Sequence, residues 1–404
     1  MNMRNLAVFL CSILFWLPPA SPSFGGVYSQ CPCPPGTPVS PETGNIECTL
    51  PGPPAQDVAC KHLAAGDGFV KMADGRDMYC FGFSDMTGVM DDMVMHDGML
   101  NANFPGPVID VREGQDFYLT LSNVGMAIRP DLFDPHTVHF HGLANAATVF
   151  DGEPMASISV NMGSSLTYYY RVAEPGTYMY HCHVEATEHM QMGMLANLYV
   201  RPAQDGTPIN GYTRFAYNDG DGSTGYDVFF PIQIHSFDPN FHDADETIQP
   251  LPFAAMKDVY PMLNGRGYPD TLNAGDLVNK NGNAAQKLDS RITATHGQKI
   301  LLRVSSLATV DFYTLTVLGL PMKVIGKDAR LLRGPDPDGP GPLQGKDLYY
   351  DTQSITLGGG ESTDVLLDTS GVSPGAYFLY VTNLNNLSND AEDYGGMMTE
   401  ITIN

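Results

Sequence analysis

Short runs that mix β-branched and aromatic residues with polar ones recur along most of the chain, and no long segment repeats its apolar positions at the helical interval. Asp116-Phe-Tyr-Leu-Thr-Leu-Ser122 and Leu166-Thr-Tyr-Tyr-Tyr-Arg-Val172 are two such runs, and residues 227–234, 299–304, 322–325, 362–367 and 375–380 read the same way. Side chains on a strand point to alternate faces, so these runs predict strands with turn residues between them. The pattern predicts an all-β chain built of Greek-key β-sandwiches. At 404 residues there is enough chain for two sandwiches, each able to bury its own core. We place them at residues 85–202 and 203–404.

The first 84 residues break the pattern. Arg4 and the apolar stretch from Leu6 to Leu17, followed by Ser21-Pro-Ser23, have the make-up of a secretory signal over residues 1–23. That apolar stretch is too short to span a bilayer. Residues 24–84 are rich in Cys, Pro and Gly and read as an N-terminal extension. Export makes disulfides the expected state of Cys31, Cys33, Cys48, Cys60 and Cys80. Five is an odd number, which leaves one cysteine free, one paired between chains, or the Cys31/Cys33 pair put to another use such as metal binding. Met86, Met90, Met93, Met95 and Met99 form a Met-rich run beside His96. It is expected to be a strand edge with packing methionines, with a copper-loading patch as the alternative. The segment from 328 to 346 is a turn-rich insertion. The chain is expected to be periplasmic or extracellular.

A formal charge of −24 excludes nucleic acid as a partner, since phosphates demand cationic surfaces. It is compatible with a basic redox partner.

The candidate chemistry lies in two segments. One reads His136-Thr-Val-His139-Phe-His141-Gly142, and the other runs from His181-Cys182-His183 through His189 to Gly193-Met194. A copper electron-transfer site uses two imidazoles, a thiolate and a weak thioether. Cys182 is the thiolate candidate, Met194 the thioether, and His136 and His189 the imidazoles. Strand parity sorts the rest: if both segments are extended, Cys182 and His136 share one face, and His139, His141, His181 and His183 share the other. A second metal centre is then expected on that other face, a few covalent bonds from the thiolate. Met179, Met190 and Met192 are read as core packing.

These segments resemble the multicopper oxidase family, which is built of cupredoxin domains. Asn103-Phe-Pro-Gly-Pro-Val-Ile-Asp-Val-Arg-Glu-Gly114 is similar to its first-domain strand-turn-strand. His139-Phe-His141-Gly142 and Gly176-Thr-Tyr-Met-Tyr-His-Cys-His183 are similar to its copper motifs. The resemblance implies two cupredoxin-like domains and copper as cofactor. It makes His136, Cys182, His189 and Met194 type 1 ligands. It makes His139 a type 2 ligand and His141, His181 and His183 type 3 ligands. Asp151, before Gly152, matches an acid that assists proton delivery; a plain turn residue is the alternative. The second domain resembles a cupredoxin without type 1 copper, because Val381-Thr-Asn383 stands where the first domain has His-Cys-His.

Two departures matter. The step from Cys182 to His189 is two residues longer than in laccases, which implies an enlarged loop and some kinship to copper nitrite reductases. The family holds its trinuclear cluster with four His-x-His pairs, and this chain has two. Either the cluster is incomplete, or a partner subunit, such as the neighbour in a trimer, completes it, or a single type 2 copper occupies it, in which case a neighbour's second domain is expected to lend His235, His242 or His296. The expected activity is oxidation of an external donor, a cytochrome or an organic reductant, with dioxygen as acceptor. Nitrite reduction and a purely electron-carrying role are the alternatives.

Overall fold

The computed structural model describes residues 27–143, 147–334 and 345–404. The signal segment expected over residues 1–23 lies outside the described residues, as does most of the 328–346 insertion. No helix among the described residues is long and apolar enough to cross a membrane.

Two β-sandwiches account for most of the described residues. In the first, β1 (Ile46–Leu50), β2 (Gln56–Lys71), β3 (Asp77–Asp85), β5 (Asp116–Gly125) and β7 (Ser165–Arg171) form one sheet. The facing sheet runs β4-β9-β8-β6, from β4 (Ile109–Arg112), β6 (His139–Phe140), β8 (Gly176–His181) and β9 (Leu195–Arg201). Parallel β2–β5 and β4–β9 pairs within otherwise antiparallel sheets are the crossovers of a Greek key. The second sandwich opens with β10 (Val228–Phe237), which lies beside β11 (Tyr260–Leu263) and, in parallel, the strand Lys299–Ser306. The alternating runs expected from the sequence all fall on strands, for example Ser362–Asp368 and Gly375–Val381.

The segment from 24 to 84 is not an appendage. β2 and β3 lie in the first sandwich's own sheet, and Leu63, Phe69, Phe81 and Phe83 enter its core beside Cys182 and Met194. The density of Cys, Pro and Gly before residue 55 hides the apolar alternation that starts at Val58. Cys31 pairs with Cys60 and Cys33 with Cys48, tying the irregular residues 27–45 to β1 and β2. Neither Cys31 nor Cys33 is thus open to metal, and Cys80 is the free, buried member of the five. Replacing Cys33 and Cys48 with Ser reopens a loop with a sequence separation of 15. The expected cost is about 3 kcal/mol, read as a lower midpoint in thermal unfolding. The Met-rich run is no strand edge either. It forms a turn and the short helix α1 (Val94–Gly98), with Met90 and Met99 exposed and Met86 buried.

The two sandwiches meet across a continuous apolar layer that joins Phe104, Met179 and Leu195 to Phe237, Tyr260 and Met262. Buried polar contacts key the interface. Arg303 Nη1 donates to Thr177 Oγ1 on β8 (3.0 Å), and Thr177 Oγ1 donates to Asp364 Oδ1 (2.5 Å).

His235 sits in this layer between the rings of Phe104 and Phe237, with no hydrogen bond to either ring nitrogen, although the Leu307 and Met190 carbonyls lie nearby. Burial pushes it down to about 3. Its folded value lies below its unfolded one, so protonation favours unfolding. The stability it contributes is full above pH 6.5 and is lost as pH falls toward 3. His235→Phe is therefore expected to matter little at pH 7.5. At pH 4.5 it should stabilise the chain by about 2–3 kcal/mol, at ~1.4 kcal/mol per unit, measured by urea unfolding at both pH values.

Candidate metal centres

Cys182 follows the last residue of β8 and is fully buried. Its Sγ lies 3.2 Å from His189 Nδ1 and 3.7 Å from His136 Nδ1, and it accepts the Thr137 N–H at 3.4 Å. Met194 is buried in the same core, and its carbonyl accepts the Cys182 N–H. His136 is held in place by a bridge to Val160, and His189 rides on helix α2 (Ala186–Gln191). The longer step between Cys182 and His189 thus leaves Cys182 by a short loop, residues 183–185, and enters a six-residue helix, where the spacing implies an enlarged loop alone. Burial opposes ionisation of Cys182, but His189 and His136 outweigh it and hold the thiol well below its usual range. Burial likewise opposes protonation of His189, yet the Cys182 thiolate, with Asp134 behind the ring, pushes it up to about 10. A thiolate faced by two imidazoles, with a thioether in the same core, is the donor set that copper selects.

The other face carries the histidines. His139 and His181 are direct cross-strand partners on β6 and β8, and the four rings of His139, His141, His181 and His183 crowd together. Strand parity therefore holds: Cys182 points into the core while its two neighbours point into this cluster. Potential ligand atoms of His139, His141 and His181 lie within 4.8 Å of one another; His183 stands beside them, its ring 4.9 Å from that of His139.

Each of the three rings meets a main-chain carbonyl. His139 Nδ1 donates to Asp151 O (2.7 Å) and His181 Nδ1 to Cys182 O (2.7 Å), while the Nδ1 edge of His141 lies against Gly360, whose backbone hydrogen-bonds the ring. These contacts put the protons on Nδ1 and turn the Nε2 lone pairs inward, the arrangement that outer carbonyls impose on metal-binding histidines. His141 Nε2 and His181 Nε2 then face each other at 2.9 Å, lone pair against lone pair, unless a proton or a metal ion lies between them. Burial holds both rings below the usual imidazole range, His181 at about 3. They are neutral and able to ligate at pH 7.

Asp151 meets the His139 ring with two groups. Its main-chain carbonyl orients His139, and its carboxylate stands off at 3.6 Å. A cavity of about 340 Å³ leads to the cluster past His139 and His141, walled on the far side by Asp328, Gly360 and Ser362 of the second sandwich. That sandwich brings no imidazole to the described wall. His235 and His242 are fully buried within their own chain and cannot reach a neighbour, whereas His296 is exposed.

Several residues at the two centres carry no sequence signal. Thr137 spaces the two segments through its N–H to Cys182 Sγ and its Oγ1, which accepts the His183 N–H (3.0 Å). Asp134 faces His189 Nε2 at 3.8 Å, and with the exposed Glu185 it makes the approach to that ring acidic.

Comparison with known proteins agrees with this geometry. Two models described as multicopper oxidase match residues 86–205 and 241–399. Laccase-18 of Oryza sativa subsp. japonica is 24% identical over 292 residues, covering 71% of this chain and 40% of the laccase. The copper-containing nitrite reductase of Neisseria meningitidis serogroup B is 32% identical over 130 residues, 30% of each chain. The chain thus spans less than half the length of these curated relatives. Among solved structures, the blue copper oxidase from Nitrosomonas europaea superposes with a TM-score of 0.62 at 20% identity over 85% of both chains, a likeness of fold.

Proposed function

The chain belongs to the multicopper oxidase family, and on that premise we propose that it is an exported oxidoreductase that takes electrons from an external donor at the Cys182 centre and delivers them to dioxygen at the histidine cluster. His136, Cys182, His189 and Met194 would hold one copper, and His139, His141 and His181, with His183 beside them, would hold the copper of the cluster. When bound, copper supplies one-electron redox chemistry at the first centre and reduces the acceptor at the second.

The observation that carries this reading is the two-sided stretch His181-Cys182-His183. It places a buried thiolate and a cluster of imidazoles back to back, a few covalent bonds apart. The chain's own groups do the supporting work. The carbonyls of Asp151, Cys182 and Gly360 fix the ring tautomers, and the Thr137 N–H supports the charge on Sγ. The cavity of about 340 Å³ beside Gly360 is large enough for a small acceptor. The acidic approach at Asp134 and Glu185, on a chain of formal charge −24, suits a positively charged donor, a basic cytochrome before an organic reductant. Export is supported by the N-terminal composition and by two disulfides. The four clustered imidazoles fall short of a trinuclear site, so full dioxygen chemistry calls for ligands from a partner chain, as in a trimer.

Native mass spectrometry with copper counting, paired with oxygen-uptake assays, tests this reading. More than one copper per chain with oxygen consumption is expected. One copper per chain without steady-state turnover would reduce the protein to an electron carrier. A second reading, nitrite reduction at a single copper, is favoured by one observation: three imidazoles of one chain, with ligand atoms within 4.8 Å of one another, suffice for a mononuclear site. Nitrite-dependent turnover without oxygen would decide for it.

A further inference from the structure

The second sandwich supplies no ligand to the Cys182 centre, yet it grips the helix that carries one. Gln191 ends α2 two residues after His189 and is fully buried. Its side chain is held at both ends by the second sandwich: Nε2–H donates to Asp258 Oδ1 (3.2 Å), and Oε1 accepts from Thr309 Oγ1 (2.5 Å). Asp258 is fixed in turn by the Ser236 hydroxyl on β10, which donates to Oδ2 (2.5 Å).

The Gln191 carbonyl faces a third group from the same side. His242, on helix α3 (Pro239–Glu246), sets Nε2 at 3.0 Å from Gln191 O and Nδ1 at 2.6 Å from Tyr79 O. A neutral ring donates to one of these carbonyls at a time, and in either state α3 lies wedged between β3 and α2. Phe241, one residue earlier, enters the core that holds Cys182, Met192 and Met194. A six-residue helix is too short to hold its own shape. Its position is therefore set by what packs on it, and so is the 3.2 Å between His189 Nδ1 and Cys182 Sγ.

We propose that Gln191, gripped by Asp258 and Thr309, is a positioning residue that fixes His189 against Cys182, so that the second domain tunes a copper centre to which it contributes no ligand. The proposal rests on the reading of Cys182 as a copper thiolate. It assigns a task to one buried amide and two half-buried polar groups that no ligand motif contains, and to the domain that lacks a His-Cys-His of its own.

The test uses full-length, copper-loaded chains carrying Thr309→Val, Thr309→Ser and Asp258→Asn. Thr309→Val removes the hydroxyl that Gln191 Oε1 needs, and Thr309→Ser keeps it. The readouts are the thiolate-to-copper absorption band, the copper hyperfine splitting in electron paramagnetic resonance, the reduction potential, and copper affinity by competition. Thr309→Val and Asp258→Asn are expected to shift the band, the splitting and the potential. They are also expected to weaken copper binding by about 10–100-fold, the range for partners that orient metal ligands. Thr309→Ser is expected to restore all four. Folded Thr309→Val and Asp258→Asn chains with wild-type spectra, potential and affinity would overturn the proposal, as would a shift in Thr309→Val that Thr309→Ser shares in full. If Thr309→Val does not fold, Asp258→Asn, which keeps its shape and one acceptor oxygen, decides by the same spectra. A wild-type chain with no thiolate–copper band would instead overturn the reading of the centre itself.

Discussion

Cys182→Ser will leave the copper-loaded protein colourless and without turnover, while the histidine cluster keeps its metal. The thiolate is the donor at this centre that nothing nearby can replace. Sγ is fully buried, faced by two imidazoles and one backbone N–H. A serine hydroxyl ionises far less readily, and in a buried site its neutral form is favoured further. Copper affinity should therefore fall by more than the ~10–100-fold that follows loss of an outer-shell partner. The cluster is spared because His139, His141 and His181 stand on the opposite face and take their orientation from main-chain carbonyls. Metal analysis should find one copper fewer per chain, and mixing with a reductant should bleach no visible band. A retained visible chromophore would show that another group supplies the donor, and the assignment of the centre would fall with it.

Period-two alternation is a local property, and what depends on it was legible. The runs around 116–122 and 166–172 became β5 and β7, and the same parity separated Cys182 from His181 and His183. The N-terminal strands were not legible, because disulfide-rich irregular chain precedes Val58 and sets the composition of the whole segment. Helix α2 was not legible either, since six residues span less than two turns and show no helical period. The donor atoms were readable, but their orienters were mostly hidden. The Asp151 carbonyl that orients His139 is a group every residue has, so no side-chain pattern marks it. Gly360 and Thr309 reach the centres only through the packing of one sandwich on the other. Gln191 and Thr309 are 118 positions apart, and no spacing rule links them.

Gly152 should be among the least replaceable residues in the chain, and Gly152→Ala is expected to destabilise the protein and disorganise the histidine cluster together. Its φ of +79° lies in the left-handed region, where a side chain costs about 1–2 kcal/mol. The added methyl would also meet the backbone of β6, 2.8 Å from the His139 nitrogen and closer still to the Val138 carbonyl. Backbone in a paired strand yields little, and overpacking of this kind costs about 1–3 kcal/mol more. The combined loss is about 2–5 kcal/mol. The strain falls where it does most damage, because Asp151 O, on the preceding residue, is the acceptor that orients His139. Gly142→Ala provides the control. That glycine also has a left-handed φ, +71°, but nothing lies within 4 Å of its absent methyl, so only the conformational cost of about 1–2 kcal/mol applies. Urea unfolding of the metal-free chains should rank Gly152→Ala well below Gly142→Ala, and Gly152→Ala alone should lose copper from the cluster at a concentration that saturates the wild type. Equal losses in the two variants would mean that the turn after Asp151 moves freely, and that His139 is oriented by something other than its carbonyl.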